Sequence, residues 1–333
     1  MRAYTVVGAG AIGSSLAAHL AGRGADVTIV DADPAHVEAI STSGITLVRG
    51  GEPSSTGPLR AVTPEELDGP LDRVLLATKS HHLRSALPWL AERLAPDGLA
   101  VVCQNGLGYA AAVAELGEAR VVPALVNFAA DRIAPGTIRA GGAGELVFGE
   151  IDGSESARVE ELREDFAGFG TVGTTPDIVG LLWSKRILAV LLTATAVADD
   201  DLPVLVFRYR EVMIALAAEA VAVARARGVR FEEFDGIDWE RLDARPDETV
   251  DAVEAFLRSV PDKPRSGVFR DLRDGRVPCE ASGDLEQLLG AARETAVNVP
   301  LLARLHATIV DLEQGRAGFD HGHLDRLAAE IHH

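Results

Sequence analysis

Cysteine is nearly absent from this chain: Cys103 and Cys279 are the only two in 333 residues, and neither stands in a Cys-x-x-Cys pair. That scarcity excludes a disulfide framework and paired-thiol redox or zinc chemistry, and it fits a reducing cytoplasm. Lysine is also rare, with Lys79, Lys185 and Lys263 the only three among 32 basic residues. Positive charge is in deficit throughout, since 50 acidic residues against 32 basic give a net charge of -18. Up to Pro176 there are 22 acidic and 13 basic residues, leaving 28 and 19 after it, so each half carries -9. A field of that sign repels duplexes and anionic surfaces, so neither nucleic acid nor membrane is an expected partner. No uninterrupted apolar run reaches the roughly 18 residues a membrane span needs, and the first strand begins too close to the N-terminus to leave room for a signal peptide.

What is present is the balance of a soluble globular protein, 47% hydrophobic and 25% charged. At about 150 residues per domain, its length predicts two domains. The first half alternates short β-branched runs with amphipathic stretches, the pattern of a parallel sheet covered by helices. Strands are expected over 4–7, 27–30, 73–77, 99–103 and 121–126, and helices over 12–22, 34–41, 82–94 and 109–116. Two further strands, 136–140 and 145–149, lie too close together for an intervening helix and predict an antiparallel meander closing the sheet. After Pro176 strand-like runs disappear, and helices are expected over 177–197, 202–228, 248–260, 285–296 and 301–314. The expected architecture is α/β: a doubly wound dinucleotide-binding domain over 1–176, then an all-helical substrate or dimerisation domain over 177–333.

The segment Gly8-Ala9-Gly10-Ala11-Ile12-Gly13 is a G-x-G-x-x-G set between the first strand and the first helix. In that context Gly8 permits the tight turn, Gly10 lets backbone amides approach a pyrophosphate, and Gly13 lets helix and strand pack closely. Ala11 and Ile12 open the helix whose N-terminus carries positive partial charge. The same fingerprint needs a carboxylate about 20 residues on, after the second strand, where Asp31 stands. A carboxylate there accepts from a ribose hydroxyl and repels a 2′-phosphate, and no arginine follows within ten residues. NAD is therefore the expected cofactor, with NADP disfavoured. The competing reading makes Asp31 or Asp33 a cap for the helix beginning at Pro34.

Lys185 lies in a stretch, 178–192, that is apolar almost all round, so its ammonium is expected to be partly desolvated and able to give up a proton near neutrality. The acidic triplet Asp199-Asp200-Asp201 reads as helix caps and first-turn charges rather than as metal ligands. Four histidines near the C-terminus, His321, His323, His332 and His333, lack acidic or thiol partners at ligand spacing and read as a solvated terminal helix. No metal site is expected.

With these residues in view, the chain resembles the ketopantoate reductases. The resemblance runs over nearly the whole chain: the glycine loop, Lys79, Gln104-Asn105-Gly106-Leu107-Gly108, Trp183-Ser184-Lys185 and the segment 266–280. It implies an N-terminal Rossmann domain and a helical C-terminal domain, with substrate and nicotinamide meeting in the cleft, and reduction of 2-dehydropantoate by NADPH as a step of pantothenate biosynthesis. By resemblance, Lys185 is the catalytic lysine that protonates the keto oxygen as hydride arrives. Glu280, 20 residues before Pro300, is the glutamate that anchors substrate and orients that lysine. Asn105 contacts both cofactor and substrate, Lys79 lies near the nicotinamide end, and Ser266 resembles a serine that binds the substrate carboxylate.

This sequence departs from the family at the asparagines placed four and eight residues after the lysine, where it has Ala189 and Thr193. Those positions share one helix face, so this wall of the substrate site is less polar and discriminates less against substrates lacking a hydroxyl. It departs again at Ala32, where an arginine for the 2′-phosphate is usual. The expected activity is hydride transfer from a nicotinamide cofactor to a keto or imine group of a small carboxylate-bearing molecule, with Arg265 or Arg270 as further candidates to hold that carboxylate. Two alternatives are a non-catalytic NAD-binding redox sensor and a reductase of a bulkier, less polar ketone or imine. The apolar stretch 213–223 and the family habit point to a homodimer.

Overall fold

The computed structural model describes residues 2–142, 144–259, 264–276 and 279–332. Val260, at the end of the expected 248–260 helix, Lys263 and His333 lie outside them. The chain divides into two compact units, Met1–Ile178 and Val179–His333.

The first unit runs β1 (Ala3–Val7), α1 (Ala11–Gly22), β2 (Asp26–Val30), α2 (Pro34–Ser43), β3 (Thr46–Arg49), β4 (Glu52–Ser55), β5 (Arg60–Val62) and β6 (Leu71–Leu76). It continues with α3 (Leu83–Ala91), β7 (Leu94–Val102), α4 (Gly108–Leu116), β8 (Val121–Asn127), β9 (Ala130–Ala134), β10 (Thr137–Ala140), β11 (Gly144–Phe148), α5 (Ala157–Asp165) and β12 (Gly170–Thr174). Eight strands form one sheet in the order β12-β11-β8-β7-β6-β1-β2-β5. All neighbours are parallel except β11 against β8.

Helices cover both faces, so successive residues of a strand enter different cores. Tyr4, Val6, Ile29, Leu75 and Val101 pack on one side, and Val7, Val30, Val74, Leu76 and Val102 on the other. Burial on both faces explains why these strands read as unbroken apolar runs rather than as alternation. The strand order reverses between β1 and β6, and the loops that leave their carboxyl ends there begin at Gly8 and Ala77. A doubly wound sheet offers its ligand crevice at that switch point.

The expected closing meander is not formed. β10 joins a separate four-stranded sheet, order β4-β3-β10-β9, while β11 pairs with β8 and β12 in the main sheet. The exposed β4 and the short β9 carry too little apolar patterning to announce that small sheet.

The second unit is helical among its described residues: α6 (Ile178–Thr195), α7 (Leu202–Arg208), α8 (Arg210–Ala226), α9 (Pro246–Ser259), α10 (Gly267–Arg273), α11 (Glu280–Thr295), α12 (Pro300–Glu313) and α13 (Gly322–Ile331). The single helix expected over 202–228 breaks at Tyr209 (φ -109°, ψ 35°). The Tyr209 hydroxyl donates to Asp325 at 3.0 Å and meets His321 Nδ1 at 3.2 Å, a side-chain anchorage that no local pattern reveals. Among the described residues α6 is the one helix long and apolar enough to cross a membrane, yet 78% of it is buried inside the protein, so it is a core helix. The terminal helix α13 buries Leu324 and Leu327 on one side, while His332 is exposed as expected, 3.3 Å from Glu211, and His323 Nε2 lies 2.9 Å from the Gly318 carbonyl.

Candidate active site

Space dictates the roles of Gly8 and Gly13. Gly8 turns with φ +89°, and a Cβ there would stand 2.6 Å from the backbone nitrogen of Thr78, which follows β6. A Cβ on Gly13 would lie 2.1 Å from the Gly8 carbonyl oxygen and 3.2 Å from Ala77 Cβ, so α1 packs against its strands only because that atom is missing. A Cβ added at Gly10 would meet nothing within 4 Å among the described residues. Helix α1 begins there with no side-chain cap and no acidic residue in its first turn, leaving its N-terminal amides and dipole for an outside anion.

Asp31, half-buried after β2, accepts from Ala9 N at 2.7 Å with one carboxylate oxygen and from Asp33 N at 2.9 Å with the other. The cap of α2 is Asp33, which accepts from Ala35 N at 3.1 Å and His36 N at 3.4 Å. The two readings of these acids are thereby separated, since Asp31 braces the glycine loop and Asp33 caps the start of α2. Sequence reasoning missed Arg132: this β9 residue, 99 positions away, places Nη1 3.1 Å from Asp33 Oδ2.

Lys79 and Asn105 follow β6 and β7 and are both exposed. Behind them the Gln104 amide donates to Thr78 O at 2.8 Å and Thr78 Oγ1 at 2.7 Å, lacing the ends of the two strands together. Burial, then His82, then Lys79 hold the His81 imidazole below its ordinary range. Gln104 Oε1 and Ser80 Oγ are buried polar atoms without a hydrogen-bond partner among the described residues. An uncapped helix start beneath open space, a braced carboxylate and two orphaned polar atoms, all at the carboxyl ends of β1, β2, β6 and β7, fit a dinucleotide. Cys103, buried beside them, is inert, its thiol pushed up to about 12 by burial.

In the second unit Lys185 is half-buried on α6, between Ser184 and Arg186, which are buried. Ser184 Oγ donates to Glu232 O at 2.6 Å and Trp239 Nε1 donates to Ser184 O at 3.0 Å. Arg186, its side chain 3% exposed, pairs with Asp284 of α11 at 2.6 Å and also donates to that residue's carbonyl. Glu280 is the first residue of α11, one turn before Asp284. The structure thus joins the helices that carry Lys185 and Glu280 through a buried ion pair that sequence reading did not single out.

Ala189 is half-buried, and the buried Thr193 donates its hydroxyl to Ala189 O at 2.8 Å, so that proton is spent within the helix. Ser266 is buried at the N-cap of α10 and accepts from Phe269 N at 3.1 Å, leaving its own proton to donate. Arg265 is engaged elsewhere: it pairs with Asp199 at 2.9 Å and with Asp201. That also corrects the reading of the acidic triplet, because Asp201 precedes α7 without a capping hydrogen bond. Its oxygens face the arginine instead. Arg270 is exposed.

Comparison with known proteins bears on both units. Residues 4–153 match the family described as ketopantoate reductase PanE/ApbA, and residues 177–313 match its C-terminal part. The chain belongs to the ketopantoate reductase family. It is an NAD(P)-dependent oxidoreductase of that family. A 2-dehydropantoate 2-reductase of Mesorhizobium japonicum is 33% identical over 260 residues, covering 68% of this chain and 77% of the relative. One from Halobacterium salinarum is 32% identical over 236 residues, with the same coverage of 68% and 77%. A crystal structure of a PanE/ApbA family ketopantoate reductase from Ralstonia eutropha superposes with TM-score 0.77 at 28% identity, covering 95% of this chain and 99% of that one. The ternary structure of D-mandelate dehydrogenase with NADH and anilino(oxo)acetate gives TM-score 0.79 at 17% identity, over 95% and 99%, a likeness of fold.

Proposed function

We propose that this protein reduces a 2-oxo acid to the 2-hydroxy acid, using NADH in preference to NADPH, and that its substrate has a less polar tail than ketopantoate. The observation that carries the reading is Lys185, half-buried on an apolar helix whose next turns present Ala189 and a self-bonded Thr193 where the family has asparagines. Bound NADH supplies the hydride. The first-turn amides of α1 at Gly10, Ala11 and Ile12 would hold the pyrophosphate, and Asp31 would accept from the adenosine ribose hydroxyls. Lys79 and Asn105 serve the nicotinamide end.

Lys185 hydrogen-bonds the keto oxygen and gives it a proton as negative charge develops there, and Glu280 orients the ammonium. Ser266, with Arg270, takes the carboxylate. Arg265 is left out of that role because Asp199 and Asp201 already occupy it. D-mandelate dehydrogenase supports the choice of donor and tail, as its structure carries NADH and an anilino(oxo)acetate on the same fold. The protein acts in the cytoplasm, and a homodimer is its expected assembly.

The reading is tested by a panel of 2-oxo acids, ketopantoate included, with either cofactor, followed at the nicotinamide absorbance. Turnover fastest with NADH and an apolar 2-oxo acid is expected. In Lys185→Ala, kcat should fall by about a thousandfold while NADH still binds. Equal use of NADPH would point to Arg132 as a counter-charge for the 2′-phosphate. An absence of turnover across the panel, with NADH bound, would favour a redox-sensing role.

A further inference from the structure

We infer that His36 is a positioning residue for the cofactor: together with Ser14 it turns the Ala9–Gly10 peptide so that the Gly10 N–H faces the pyrophosphate. His36 is wholly buried on α2, at 0% exposure. Its Nδ1 lies 2.9 Å from Gly136 N, in the turn between β9 and β10, and since that amide can only donate, Nδ1 must accept. The ring proton therefore sits on Nε2, which donates to the Ala9 carbonyl at 2.6 Å. Ser14 Oγ donates to the same oxygen at 2.6 Å, and Asp31 takes the Ala9 N–H at 2.7 Å. Both polar groups of Ala9 are thus turned inward by side chains.

A trans peptide sets its C=O and the following N–H in opposite directions. Holding the Ala9 oxygen against His36 and Ser14 consequently points the Gly10 N–H away from those side chains, at a residue where an added Cβ would meet nothing within 4 Å among the described residues. A glycine-flanked peptide with no such hold is free to rotate, and the cofactor would meet the cost of ordering it. The clamp removes that cost in advance. It also links the adenosine half of the site to the β9–β10 turn, because Gly136 is held by the same ring and its carbonyl accepts from Thr46 N at 2.8 Å.

The inference rests on the glycine loop being the pyrophosphate site, and two substitutions divide the ring's two bonds. His36→Asn leaves an acceptor near Nδ1 for Gly136 and loses the donor to Ala9, whereas His36→Gln keeps a donor near Nε2. Binding of NADH is measured by nicotinamide fluorescence, with melting temperature and steady-state kinetics alongside. In His36→Asn, Kd and KM for NADH should rise about tenfold while kcat and the KM for the oxo acid stay within a factor of about two. His36→Gln should recover most of that loss, and Ser14→Ala, which retains the ring, should show a smaller rise of the same kind. Undiminished NADH affinity in His36→Asn and Ser14→Ala would overturn the clamp, as would losses in kcat and both KM values that follow the melting temperature. A wild-type protein that binds neither dinucleotide would overturn the glycine-loop reading, and the clamp with it.

Discussion

In Met1–Ile178 the groups proposed to hold the pyrophosphate and ribose are main-chain amides and one braced carboxylate, whereas in Val179–His333 the groups proposed to act on substrate are side-chain tips, Lys185 and Glu280 foremost. Main-chain groups are aimed by backbone conformation, so their site demands particular residues at adjacent positions: a glycine at φ +89°, another with no room for a Cβ, and a helix start without a cap. Side-chain tips are aimed by the packing of whole helices, so their site demands distant contacts such as Arg186 to Asp284. Damage should accordingly be local and severe in the first unit, and graded in the second.

The sharpest break is Gly13→Val. Its Cβ would enter the Gly8 carbonyl at 2.1 Å, so a loss above about 4 kcal/mol and abolished dinucleotide binding are expected by denaturant melts and fluorescence titration. Next comes Arg186→Ala, which leaves Asp284 without its partner at a side-chain exposure of only 15%. About 3 kcal/mol should be lost, with turnover reduced and NADH affinity unchanged. Equal losses of turnover and NADH affinity would show that the two units do not fail separately, and the comparison would need revision. The smallest effect is a gain. Ala296 ends α11 in the left-handed region at φ 56°, and Ala296→Gly should raise stability by about 1 kcal/mol with activity intact.

The same division governs what could be read beforehand. The strand-loop-helix at Gly8–Gly13 and the acid at Asp31 lie within two dozen residues, and their spacing carries its own geometry. β3, β4 and β9 are short or exposed and leave little trace in the sequence, and the expected strand β10 joins them rather than the main sheet through a pairing some 90 residues apart, Thr137 against Thr46. The bracing residues escaped notice for a related reason. His36 meets Gly136 across 100 positions and Arg132 meets Asp33 across 99. Lys185 stood out through its rarity and apolar surroundings, but nothing nearby indicated that Arg186 would bind Asp284, 98 positions on.

Sequence by itself determined the doubly wound first half, the helical second half, the glycine loop with its acid, and the lysine helix, because each of these is encoded in periodicity or spacing within one or two elements. Tertiary structure alone decided which acid braces the loop and which caps a helix, that Arg265 serves Asp199 and Asp201, and that a buried histidine orients the Ala9–Gly10 peptide. Hydrogen bonds and ion pairs of that kind are settled by which side chains the packed core brings within about 3 Å of one another, and a linear pattern carries no record of that distance.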